Sequence, residues 1–377
     1  MGFENLDFLT LQHFWWFVIS LLFGLFAFMM FVQGGQTLFG KLSSNETQKT
    51  MLINSMGRKW EITFTTFVLL GGALFAAFPL FYATSFGGAY WVWMAILFCF
   101  IIQAISYEYR KKPDNFLGQK TYEAFLYING SVGVFLLGVA ISTFFSGSVF
   151  FIDSNNFSHW QHNARGLEAL LNPFNYLLGF SLVYLSKISG SMYFINNIND
   201  DEIKQKAFSS IKVNAVLFLL FFLSFLAWIF TKDGFALNAD GVVFMQEYKY
   251  LLNMAQMPIV FGLFLLGIVT VLSAIYMSVF KKRESCIKTI GVGIVLTVTM
   301  LIVSIGYNNT AFYPSTYDLQ SSLTIMNSSS SHYTLSVMGY VSLMIPIVLA
   351  YIIFAWYSMD KVKITKEEIE APDAHNY

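Results

Sequence analysis

Nine stretches of this chain are long and apolar enough to cross a bilayer, and the segments between them are not. A spanning helix needs roughly 20 mostly apolar residues. The stretches run from Phe14 to Phe39, Glu61 to Tyr82, Tyr90 to Tyr107, Tyr122 to Phe145, Leu171 to Ile195, Val213 to Phe230, Met257 to Phe280, Thr289 to Tyr307, and Thr334 to Trp356. The fifth is interrupted by Lys187. The expected fold is therefore all-α and integral to the membrane, a single transmembrane domain over residues 1–377 with no soluble domain or linker. Composition agrees: 12% of residues are charged and 56% hydrophobic, whereas a soluble domain is about a quarter charged.

The charges test the helix count. Alternate connecting segments carry most of the lysine and arginine. One set holds Lys41, Lys49, Arg58 and Lys59, then Arg110, Lys111, Lys112 and Lys120, then Lys204, Lys206 and Lys212. The same set continues with Lys281, Lys282, Arg283 and Lys288, and with Lys361, Lys363 and Lys366. The other set holds only Arg165, Lys232 and Lys249. Cytoplasmic loops carry the excess of basic residues, so the N-terminus is expected outside and the C-terminus in the cytoplasm. No basic stretch precedes the first span, which reads as retained rather than as a signal peptide. The outer segments near 148–170, 231–256 and 308–333 are long, polar and able to carry short helices. A net charge of zero offers no basic surface to nucleic acid.

Few residues carry chemistry. His13, His159, His162, His332 and His375 all lie at span ends, in loops or in the tail. None is placed mid-membrane as an axial haem ligand would be, so this chain alone is expected to bind no haem. Cys99 and Cys286 suggest no disulfide framework. Intramembrane ionisable groups are the remaining candidates. Glu61 and Glu108 stand at the ends of the second and third spans, as proton-path groups or as ordinary interfacial acids. An acid in a first helical turn is stabilised by the macrodipole in any case. Glu123 reads as an interfacial salt-bridge partner. Lys187 is a weaker candidate for a ligand or quinone region, some ~12 Å deep at ~1.5 Å per residue. It either snorkels or pairs with a carboxylate or headgroup. Gly71 to Pro79 supplies a small-residue pattern: Gly72 with Ala76, and Ala73 with Ala77, let helices approach closely, inside this chain or against a partner.

The chain resembles subunit II of the cytochrome bd quinol oxidases across nearly its whole length. The matching stretches include Phe14-Trp15-Trp16, Met51 to Ser55, Trp60-Glu61, Gly71 to Pro79 with Tyr82-Ala83, Tyr107 to Arg110, and Leu170 to Phe174. They continue with Gly190 and Tyr193, Pro314-Ser315, Ser321 to Thr324, and Ile364 to Glu370. The resemblance implies nine helices, mostly in two four-helix bundles, in a bacterial inner membrane. It implies a heterodimer with a haem-bearing subunit I that oxidises quinol and reduces oxygen to water. Haems b and/or d are then expected in subunit I, and none in this chain. Small single-span subunits, a structural quinone or lipid, and a proton path with a carboxylate from subunit II belong to the same expectation.

Three departures stand out. The family's acidic D-G-F-D pattern reads Gln33-Gly34-Gly35-Gln36 here, its W-D-G-N reads Trp60-Glu61-Ile62-Thr63, and the third span has Gln103 where arginine is usual. They suggest a divergent branch of the cyanide-insensitive type. Two other classes compete. A secondary transporter would have its site at broken helices near the midplane, and Gly34-Gly35 and Lys187 could be read that way, but nine spans do not divide into two equal repeats and no paired breaks are visible. The third reading is a purely structural or assembly protein.

Overall fold

The computed structural model describes residues 2–371 and 377; His375 lies outside the described residues. Among the described residues eight single helices have the length and hydropathy of membrane spans: α1 (Phe8–Gln36), α2 (Glu46–Ala77), α3 (Tyr90–Tyr109), α4 (Gln119–Ser146), α5 (Asn175–Asn197), α6 (Asp201–Thr231), α7 (Pro258–Lys281) and α8 (Cys286–Gly306). A ninth span is made of α9 (His332–Ser342) and α10 (Ile345–Asp360), which meet at 41°. The sequence reads this region as one uninterrupted run. Pro346 near the start of α10 lacks a backbone donor and crowds the preceding turn, which explains the bend.

Local chemistry fixes several starts. Asp7 caps α1 by accepting from Thr10 N at 2.9 Å, Asp200 caps α6 from Ile203 N at 3.0 Å, and Ser331 caps α9 from Thr334 N at 3.2 Å. Each satisfies a backbone donor that the helix itself leaves free. Spans α1 to α4 form one four-helix group and α5 to α8 close a second, with α1 also lying along α5 and α8. Glycine permits the α1–α5 crossing. A Cβ on Gly190 would stand 2.6 Å from Gly35 N and 2.7 Å from Phe31 O, so the two backbones touch where a side chain would hold them apart.

One end of the molecule is basic. There Lys204 bonds Glu284 at 2.8 Å and Lys363 bonds its other oxygen at 2.6 Å. The two hydrogen bonds, Lys204 first, hold the Glu284 carboxyl below the usual carboxylate range. The opposite end is capped by antiparallel hairpins, β1 (Phe150–Ile152) with β2 (Ser158–Trp160), and β3 (Gly234–Leu237) with β4 (Val243–Gln246). The outer segments, expected to be able to carry short helices, carry Leu167–Leu171, Lys249–Gln256 and Leu319–Ser321 in addition to the two hairpins. Cys99 and Cys286 are both free and buried.

Candidate functional site

Between α1, α3 and α4, toward the basic end, lies a cluster of neutral polar side chains. Gln33 and Gln36 occupy the last turns of α1, Gln103 and Tyr107 successive turns of α3, and Asn129 opens a π-helical turn, Asn129–Gly133, inside α4. Such turns put one extra residue into a helix and often mark functional positions. All five side chains are buried. Gln33 Nε2 donates to Gln103 Oε1 at 3.0 Å, and Gln36 Nε2 donates to Tyr107 Oη at 3.1 Å. Five further atoms have no protein partner among the described residues: Oε1 of Gln33 and of Gln36, Nε2 of Gln103, and both terminal atoms of Asn129. Buried polar atoms left alone are costly, and ordered water is the common remedy.

Arg110, Glu123 and Lys49 stand at the basic end beside this cluster. The Trp60 ring stacks on Tyr107 at 5.8 Å. Arg110 is fully buried and donates to Glu123 Oε1 from Nη2 at 2.7 Å and from Nε at 3.0 Å. Lys49 approaches the other oxygen of Glu123 at 3.4 Å. Glu123 and Glu46 are therefore the carboxylates engaged in ion pairs here, Glu46 lying 2.8 Å from Lys49 and 3.8 Å from Arg110. Glu61 and Glu108 are exposed, and neither is in an ion pair among the described residues. Chemically, the amides can hold water but cannot exchange a proton as a carboxylate does. Any proton-accepting acid of this region sits at its basic rim.

A second network lies across the same end. Lys59, in the break between the two halves of α2, is fully buried and its Nζ stands 2.9 Å from Asp360 Oδ1. The same oxygen accepts from Tyr193 Oη at 2.9 Å and Asn197 Nδ2 at 3.3 Å. Ser55 closes the set by donating to Asn197 Oδ1 at 2.7 Å. Sequence reasoning singled out neither Asp360 nor Asn129. Asp360 reads as the polar end of a span, and Asn129 gains meaning only from the π turn.

Lys187 lies half-buried on α5, with Nζ 5.6 Å above the Tyr184 ring and no carboxylate within ion-pair distance among the described residues. The small-residue pattern of α2 divides. Ala77 is buried and its carbonyl accepts from Ser330 N at 2.8 Å, and Ala73 is partly buried against the core. Gly72 faces outward, with nothing within 4 Å of a Cβ built there, and Ala76 is half-buried beside it.

The described histidines gather at the hairpin end. His13 Nδ1 lies 2.9 Å from Leu9 O, His332 Nε2 2.8 Å from Leu6 O, and His159 Nε2 2.9 Å from Asp153 Oδ2. His162 Nδ1 accepts from Ala164 N at 3.1 Å. These are span-end and outer-segment positions rather than the mid-span positions of an axial haem ligand.

Comparison with known proteins assigns the chain to a family. The family model described as cytochrome bd terminal oxidase subunit II matches residues 11–359. Cytochrome bd-I ubiquinol oxidase subunit 2 of Escherichia coli (strain K12) is 26% identical, the match covering 97% of this chain and 98% of that protein. Cytochrome bd ubiquinol oxidase subunit 2 of Bacillus subtilis (strain 168) is also 26% identical, covering 95% and 98%. Probable cytochrome oxidase subunit 2 of Haemophilus influenzae is 25% identical, covering 94% and 95%. Among solved structures, a chain of the bd oxidase from Geobacillus thermodenitrificans matches with a TM-score of 0.61 at 12% identity, over 92% of this chain and 98% of that one. That likeness concerns the fold alone.

Proposed function

The chain belongs to the cytochrome bd terminal oxidase subunit II family, and from that premise we infer how its residues serve a quinol oxidase complex. It is a multi-pass membrane subunit of an oxidoreductase complex whose partner is subunit I, and the complex binds haem. The relatives lend nothing to the transporter reading. Our reading is that this chain carries no haem itself, stands in a bacterial inner membrane with its basic end in the cytoplasm, and supports quinol oxidation by subunit I. The position of the histidines supports the first part, and the basic end supports the second.

The observation that carries the functional reading is the buried amide cluster above a rim of carboxylates. It offers hydrated passage without proton exchange along Gln33, Gln103 and Asn129, and leaves Glu61 and Glu108 as the acids able to take up a proton. Glu61 leads because it stands beside Trp60, which stacks on Tyr107 directly below the cluster. Lys187, half-buried and without a carboxylate partner, is the candidate neighbour of a structural quinone. The outward Gly72 and Ala76 form a smooth surface for a subunit I helix.

The test is purification of the tagged chain from its native membrane. It should bring a second membrane protein with b- or d-type haem absorbance, while the chain expressed alone should give no stoichiometric haem in a pyridine haemochrome assay. A full equivalent of haem in the isolated chain would refute the haem-free reading.

A further inference from the structure

A groove of about 890 Å³ lies between α1, α8 and α10. α10 has no buried residue of its own and rests on the body near its basic end, where Trp356 packs on Phe28 and Phe31. Leu21 and Leu25 of α1, Val292 and Val295 of α8, and Ile352 and Ile353 of α10 line the length of the groove. At the basic end its mouth is formed by Lys288, Lys361 and Lys363, with Asp360. Asp360 is taken by Lys59 and Lys363 by Glu284. Lys288 and Lys361 are exposed and have no carboxylate within ion-pair distance among the described residues.

Dimension and charge together select an occupant. From Lys288 to Met300 the groove follows α8 for about 18 Å at ~1.5 Å per residue. That is close to one leaflet of a ~30 Å hydrocarbon core. A protein helix would be expected to continue through both leaflets, and a neutral quinone leaves the two lysines unanswered. We propose that this groove binds one anionic phospholipid of the adjacent leaflet, its acyl chains along α1, α8 and α10 and its phosphate between Lys288 and Lys361. Ammonium groups near a membrane surface bind phosphate as point charges.

The experiment uses the intact complex with its partner subunit, placed in nanodiscs of equal phosphatidylglycerol and phosphatidylcholine, then delipidated mildly and weighed by native mass spectrometry. One phosphatidylglycerol per complex should be retained in preference to phosphatidylcholine. The Lys288→Gln, Lys361→Gln double variant should lower that retention roughly ten- to thirty-fold, about the effect of two surface lysines on anionic lipid. Val292→Trp, at a position 64% exposed, should abolish retention with both lysines intact. Its side chain is mostly exposed, and unchanged assembly and haem absorbance of the variant complex would separate loss of lipid from misfolding. Equal retention of the two lipids, or retention indifferent to both variants, would overturn the proposal. So would a co-purifying quinone released by Thr299→Val, or a cross-link from Val292→Cys to the partner subunit.

Discussion

Removing the Asp360 carboxylate should loosen one helix rather than the whole bundle. Lys59 is fully buried and the Asp360 side chain is 11% exposed, so little solvent screens the pair. Removing one member of a buried ion pair costs about 3–5 kcal/mol, because the other charge stays buried alone. Asp360→Ala also leaves Tyr193 Oη and Asn197 Nδ2 without their acceptor. Water at the basic end can reach part of the gap, which puts the expected loss near the lower figure, about 3 kcal/mol. Because α10 has no buried residue, this network is its main polar tie to α2 and α5, and the loss should appear there first. Amide hydrogen exchange over residues 352–360 of the complex should quicken by about a hundredfold, the equivalent of that energy. Exchange in the middle of α5 should change little. The double variant Lys59→Met, Asp360→Leu removes both charges and should recover most of the protection, since apolar replacement of a buried pair is often neutral. An effect of Asp360→Ala below tenfold, or a double variant no better protected than the single, would show that α10 is held by something else.

Other outcomes follow from the same structure. In Gly72→Leu the added Cβ has nothing within 4 Å of it and the side chain starts outward, so the isolated subunit should insert normally. Yield of the complex should fall by an amount equivalent to about 1–3 kcal/mol of overpacking, and unchanged assembly would remove α2 from the interface. Glu61→Gln should assemble normally and slow oxygen reduction per complex, with Glu61→Asp milder; lowered assembly at intact turnover would leave Glu61 as a helix-start acid only. Lys232, just beyond α6, is pushed down to about 8 by burial from an ordinary 10.5. Between those values the unfolded chain binds the extra proton, so this group's share of stability rises with pH through that window and is flat below it. Lys232→Met should remove that rise from thermal denaturation curves measured between pH 7 and 10.5. A fluorescent reporter fused after residue 377 should mature in the cytoplasm, and a dark C-terminal fusion with a bright N-terminal one would reverse the orientation.

The spans were legible because a bilayer demands long apolar runs, and because Lys and Arg collect at alternate ends. Gln33, Gln36 and Gln103 were legible as departures, and two of their contacts join them to each other and to Tyr107. Asn129 was hidden, since the π turn that directs it depends on packing against α1, where a Cβ on Gly130 would meet the Gln33 carbonyl. Asp360 was hidden for a different reason. Its partner Lys59 is 301 positions away, and no local pattern pairs residues across such a distance. The split of Gly72 from Ala77 was equally out of reach, because spacing identifies a smooth face and not what lies opposite it.

The separation of Lys59 from Asp360 also has a meaning in time. At a synthesis rate of about 5–20 residues per second, the carboxylate leaves the ribosome some 15–60 seconds after the ammonium. Throughout that interval α2 must remain in the bilayer with a lysine at its break and no counter-charge from α10. A nascent chain stopped anywhere before Asp360 holds that lysine unanswered, which gives membrane quality control a physical mark by which an unfinished copy differs from a finished one.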